Sequence, residues 1–175
     1  MDLDISTLRA LHPMIPTALA MDLMNRAALA LQRAHHEPGV ALSVRLKSES
    51  LTTNLSWETV NTDELLQHDR LKVTEDGAEA VSLALAGQLK GWAVLRRLQI
   101  GEHGDWLLQD SAGPDAKTVA LEISGVESGP INKRLKEKLA QVAQTQDVDE
   151  RWAGVVGFEA PASALQFTRR RRVQR

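Results

Sequence analysis

Asp105 and Glu122 are the residues of this chain whose types and spacing most directly suggest chemistry. They sit at functional ends of two short apolar runs in GDWLLQDSAGPDAKTVALEISG, residues 104–125. With a turn centred on Gly113-Pro114, antiparallel pairing sets residues whose numbers sum to 227 opposite each other, and Asp105 and Glu122 form such a pair. Directly opposed residues have Cβ atoms about 4.5–5.5 Å apart. Two carboxylates that close repel unless something neutralises them, and a divalent cation does so. Period-2 alternation then puts Asp105, Leu107 and Gln109 on one face together with Ala120, Glu122 and Ser124. Trp106, Leu108, Leu121 and Ile123 cover the other. Both faces are largely apolar, so the two acids carry a desolvation cost that calls for a compensating partner. Mg²⁺ or Mn²⁺ is the expected cofactor, held by oxygen ligands and activating water for phosphodiester hydrolysis. The competing reading is a pair of strand-end carboxylates, solvated or bridged to arginines.

The elements that must position these acids follow from pattern. Residues 15–36 read as a helix with Pro16 in its first turn, stopped by Pro38-Gly39. Residues 40–46 and 51–57 suggest a hairpin, and the polar stretch 58–75 a connector. Asp76 is placed to cap a helix running to Lys90, with Ala78, Val81, Leu85 and Leu89 on one face and Gly91 as its stop. A strand is expected over 92–100, the hairpin over 105–110 and 118–124, and a helix over 131–144. A last apolar strand spans 152–158, reached by a crossover that implies parallel pairing. The fold class is α/β, divided into an N-terminal helix and hairpin extension (1–75), an α/β core (76–160) and a basic C-terminal tail (161–175).

From residue 76 the order helix, three strands, helix, strand resembles the core of the PD-(D/E)xK nuclease superfamily, the restriction-endonuclease-like fold. In that family an Asp opens the second strand, a Glu-x-Lys lies on the third, and an acidic residue often sits on the first helix. The resemblance implies Asp105 and Glu122 as metal ligands with Glu79 as the helix carboxylate, and a metal-dependent nuclease acting in restriction, repair or defence. The lysine of the motif falls at residue 124, where this chain has Ser124. A hydroxyl supplies hydrogen bonds to water or phosphate but no charge. Another cation is then needed, and the helix after the hairpin offers two. Lys138 lies about 55° from the centre of its apolar stripe and Arg134 one turn earlier on the same flank. Both also fit snorkelling boundary positions. Glu79 lies roughly 110° from the centre of its helix's apolar face, a position that also suits solvent.

Composition narrows the partners. There are no cysteines, which excludes disulfides and thiolate chemistry, and 43% hydrophobic with 25% charged residues is ordinary for a globular protein. No apolar run has transmembrane length and the start, MDLDISTLRA, lacks a basic signal region, so a cytoplasmic protein without membrane contact is expected. The net charge of −2 hides five arginines in the last seven residues. Arg169, Arg170, Arg171 and Arg172 are candidates for contacting a nucleic-acid backbone, DNA ahead of RNA. A protein partner or homodimer is the further expectation. His103, in the approach to Asp105, is a loop residue or a phosphate contact. The four tryptophans read as packing. Two alternatives to an enzyme stay open: an inactive nuclease fold serving as a nucleic-acid- or protein-binding subunit in a defence, repair or toxin–antitoxin system, and an acidic interaction module mimicking nucleic acid.

Overall fold

The computed structural model describes residues 2–111 and 113–168. Its backbone forms a mixed α/β structure around one eight-stranded sheet, ordered β1-β3-β2-β8-β7-β6-β5-β4. The chain begins with β1 (Asp2–Asp4), a short helix α1 (Leu8–Leu11) and α2 (Thr17–Arg33). Leu23, Ala27 and Leu31 form the buried stripe of α2. Its stop is not Pro38-Gly39. His35 turns left-handed at φ 63, and the His35 and His36 amides bond back to Gln32 and Leu31. Strands β2 (Val40–Leu46) and β3 (Glu49–Ser56) make the expected hairpin.

The next helix starts earlier than its sequence pattern predicts. α3 spans Arg70–Lys90, and Asp69 caps it by accepting from the Lys72 amide at 2.9 Å. Asp76 therefore lies inside the helix, buried, and bridged to Lys72 at 2.7 Å and to Arg26 of α2 at 3.2 Å. The first two turns of α3 are polar because they pair with α2 and with loops, which hides their helical period. Gly91 ends α3 in the left-handed region at φ 66.

Strands β4 (Ala93–Arg97), β5 (Trp106–Gln109) and β6 (Thr118–Val126) run antiparallel. Trp106 pairs with Leu121 and Gln109 with Thr118, the register in which residue numbers sum to 227. α4 (Asn132–Val142) then crosses to β7 (Glu150–Gly157), which pairs parallel with β6. Residue 161 was the expected start of a tail, but Ala162–Thr168 form β8. This strand pairs antiparallel with β7 and parallel with β2, joining the N-terminal hairpin to the rest in a single sheet.

Helices cover both faces of the central strands. Val119, Leu121, Ile123 and Trp152 belong to the core shared with α2 and α3. Ala120, Ala153, Val155 and Ala164 pack with Leu135 and Val142 of α4 on the opposite face. β6 is accordingly buried from Val119 through Gly125. All four tryptophans are buried, as packing requires.

His12 is among the buried polar residues. His12 is 0% exposed; its Nδ1 accepts from the Val94 amide at 3.2 Å, so Nε2 carries the proton and donates to the Leu83 carbonyl at 2.8 Å. Burial lowers its pKa below the ordinary 6.5. The unfolded chain then binds the proton first, so this residue's contribution to stability is whole above 6.5 and declines as pH falls below it. Chemical denaturation is expected to show a loss of up to about 1.4 kcal/mol per pH unit below that point, absent in His12→Gln. Equal pH slopes for the two proteins would refute this account.

Candidate functional site

The end of the β5–β6 hairpin collects the charged side chains. β5 stops at Trp106 while β6 runs on to Val126, so the two strands part beside Asp105 and Glu122. The Asp105 amide still donates to Leu121 at 3.0 Å, while its Oδ2 accepts from the Ile123 amide at 2.6 Å. Asp105 thus closes the gap where the ladder ends. Glu122, 2% exposed, points to the α4 face. There Lys138 donates to its Oε1 at 2.5 Å.

Electrostatics tie the two acids together. Burial raises the pKa of Asp105, against the Ile123 amide, Lys138 and Arg97, which lower it. Burial also raises that of Glu122, and the neighbouring Asp105 charge adds to the effect while Lys138 opposes it. Glu75, exposed on α3, raises both. Burial is the dominant cause in both, and the neighbouring cations offset it only in part.

Glu79 is the third acid. It is 8% exposed, not solvated, and reaches the α3 face of the hairpin. Its Oε2 accepts from Arg97 Nη2 at 2.6 Å and from Trp106 Nε1 at 3.1 Å. Burial pushes its carboxyl up to about 7, with Arg97 opposing and Asp105 adding. A folded pKa above the ordinary 4.5 means this group's contribution to stability falls as pH rises between the two values.

Arg134 and Lys138, the two basic residues expected to lean towards the hairpin, separate in space. Lys138 is bound to Glu122, whereas Arg134 pairs with Glu137 at 3.3 Å, one turn away. Ser124 lies two residues beyond Glu122 on the same face, 2% exposed, and its hydroxyl is buried without a hydrogen-bond partner. His103 is an exposed loop residue at φ 60 whose carbonyl accepts from Thr145 Oγ1. Arg169–Arg172 lie outside the described residues.

A groove of about 640 Å³ lies at the C-terminal end of β6. Its walls come from the same three elements: Arg70 and Thr74 of α3, Gly125 and Val126 of β6, and Lys133 and Arg134 of α4. Glu127, which also lines it, pairs with both Arg70 and Arg33.

Among the described residues, no group of three or more His, Asp or Glu side chains is arranged to hold a metal ion. Asp105 and Glu122 are hard oxygen donors, and the Asp105 charge acts unfavourably on Glu122, a repulsion a divalent cation would relieve. That set fits an ion of the magnesium type, which commonly keeps its waters and takes one or two carboxylates. It does not fit a soft metal.

Sequence reasoning missed Glu75, Arg97 and the Trp106 indole. Glu75 and Glu79 are one helical turn apart, a signal lost when the helix is started at Asp76. Arg97 faces Trp106 across β4–β5, but the register shifts between Val94 and Arg96, so simple alternation from the hairpin misplaces it. Among the described residues, no helix is long and apolar enough to cross a membrane. Comparison of the chain with protein-family models, with curated proteins and with solved structures finds no match.

Proposed function

We propose that this chain is a Mg²⁺- or Mn²⁺-dependent phosphodiesterase acting on nucleic acid, with a restriction-endonuclease-like core of the PD-(D/E)xK kind. One observation carries the reading: at the end of the central hairpin the Lys138 ammonium lies 2.5 Å from the buried Glu122 carboxylate, and the Asp105 carboxylate takes the amide of Ile123, the residue next to Glu122. The element order supports it. α3, then β4–β5–β6 antiparallel, then α4 and a parallel β7, is the helix, three strands, helix, strand order that the resemblance implies.

Asp105 and Glu122 would hold the ion, which supplies positive charge and an activated water when bound. Lys138 takes over from the lysine that Ser124 displaces. Its ammonium reaches the same site from α4 instead of from two residues along β6, and it orients water and offsets charge on the phosphate. Arg70, Lys133 and Arg134 line the adjoining groove and suit a phosphate backbone, DNA ahead of RNA. Arg169–Arg172 would extend that contact.

Calorimetric titration with Mn²⁺ and Mg²⁺, run beside plasmid cleavage, tests the proposal. Binding and cleavage are expected in the wild type, with Asp105→Asn removing cleavage and weakening binding at least about tenfold. Metal binding unaffected by Asp105→Asn would sink it. The second reading is a nucleic-acid-binding subunit without hydrolysis, favoured by the enclosed, unpartnered Ser124 hydroxyl and by Lys138 already neutralising Glu122. Salt-sensitive DNA binding with no metal-dependent cleavage would select it.

A further inference from the structure

Arg97 stands apart from the groups used so far. It projects from β4 on the α3 face of the sheet, opposite the face from which Lys138 arrives. Arg97 pairs with Trp106, and the amide of the next residue, Leu98, donates to the Asp105 carbonyl at 2.9 Å, so Arg97 sits on the strand directly beside the start of β5. The guanidinium is locked in place twice. It bonds Glu79 through Nη1 at 3.3 Å and Nη2 at 2.6 Å, and it stacks 4.4 Å from the centroid of the Trp106 ring. Trp106 Nε1 donates to the same Glu79 carboxylate, so ring, guanidinium and acid hold one another.

This arrangement differs from a closed structural ion pair. Glu79 is nearly buried, yet the Arg97 side chain is 38% exposed. Glu79 engages two of the five N–H donors of the guanidinium, and the open side retains donors for a ligand. An arginine fork held rigid by stacking and by a carboxylate behind it loses little freedom on meeting a phosphate.

We propose that Arg97 is a second phosphate-contacting cation of this site, gripping a non-bridging oxygen of a phosphodiester from the side opposite Lys138. The proposal rests on the phosphodiesterase reading above and adds a catalytic residue to it. Glu79 and Trp106 are positioning residues in this scheme, acting through Arg97.

The test compares Glu79→Gln with Glu79→Gln/Arg97→Ala, so that no buried acid is left unpaired in either protein. Arg97→Lys is the conservative variant. Plasmid cleavage and the anisotropy of a fluorescein-labelled short DNA duplex are both measured, with thermal melts confirming folding. Removal of Arg97 is expected to lower kcat by about 10²-fold with a smaller change in KM, as for loss of one oxyanion donor. Lysine should restore less than about a tenth of that, because it lacks the planar fork. Matched kcat values, while Asp105→Asn abolishes cleavage, would overturn the role of Arg97 and leave the phosphodiesterase intact. If the wild type binds DNA without cleaving it, a drop in affinity on losing Arg97, only partly restored by lysine, supports the contact, and unchanged affinity refutes it. A wild type that neither cleaves nor binds defeats both proposals.

Discussion

Lys138→Met is expected to destabilise the fold in a pH-dependent way and, under the proposed function, to lower cleavage sharply. In the folded chain Lys138 is the hydrogen-bonded cation on Glu122, a carboxylate 2% exposed. Removing the ammonium leaves a buried charge without its partner, a change that typically costs about 3–5 kcal/mol. Glu122 has an escape, because burial and the Asp105 charge already raise its pKa. Without Lys138 that pKa rises further, so the carboxyl takes a proton more readily. The sign follows from linkage: a folded pKa above the unfolded one makes stability fall as pH rises. The variant should therefore lose most stability near about pH 8 and least near about pH 5. Denaturant unfolding at the two pH values checks this. Glu122→Gln/Lys138→Met removes both charges and should recover much of the loss, with a coupling energy of about 1–3 kcal/mol. A coupling near zero would mean that the 2.5 Å contact contributes little. Cleavage should fall by about 10²–10⁴-fold, the range for losing a positioned proton-handling group, and the double variant should not restore it.

The second large effect is steric and independent of function. At Gly125 an added Cβ would lie 2.2 Å from the carbonyl oxygen and 2.7 Å from the carbonyl carbon of Thr74. Both are backbone atoms of α3, which cannot rotate away as a side chain does. Gly125→Ala must then push α3 off β6, in the region where the groove and Glu75 begin. Overpacking of this kind costs about 1–3 kcal/mol or more, and this contact belongs at the upper end. For a chain of this size that corresponds to a fall in Tm of about 6–12 °C. The contrast is Gly39→Ala, where nothing lies within 4 Å and only the backbone preference at φ 93 is felt. A Gly125→Ala melt within about a degree of wild type would show that α3 and β6 yield more easily than their packing suggests.

Much of the candidate site was legible because strands and turns are local. A turn near Gly113-Pro114 and strict alternation set the register, and the observed Trp106–Leu121 pairing follows that register. The ladder ends at that pair, so Asp105 lies one residue beyond it and its carboxylate takes the Ile123 amide. The apolar character of both faces of residues 118–124 likewise announced a strand covered on both sides, as β6 is.

Other features needed the tertiary structure. Asp76 looks like a helix cap, because an acid before an apolar stripe is a local cue. Arg26 and Lys72 make it an interior residue, and Asp69 caps instead. Residues 162–168 looked like the start of a tail, because their strand character depends on β7 and β2 lying on either side.

The sequence by itself determined the central hairpin and its register, since these depend on neighbours along one stretch of chain. Only the tertiary structure decided which cation meets Glu122. Arg134 and Lys138 share a helical flank, and the docking of α4 over β6 and β7 selects Lys138 for Glu122 while Arg134 turns to Glu137. It also decided that Glu79 is a buried anchor for Arg97, because a side chain on the flank of a helix is solvated or enclosed according to what packs above it.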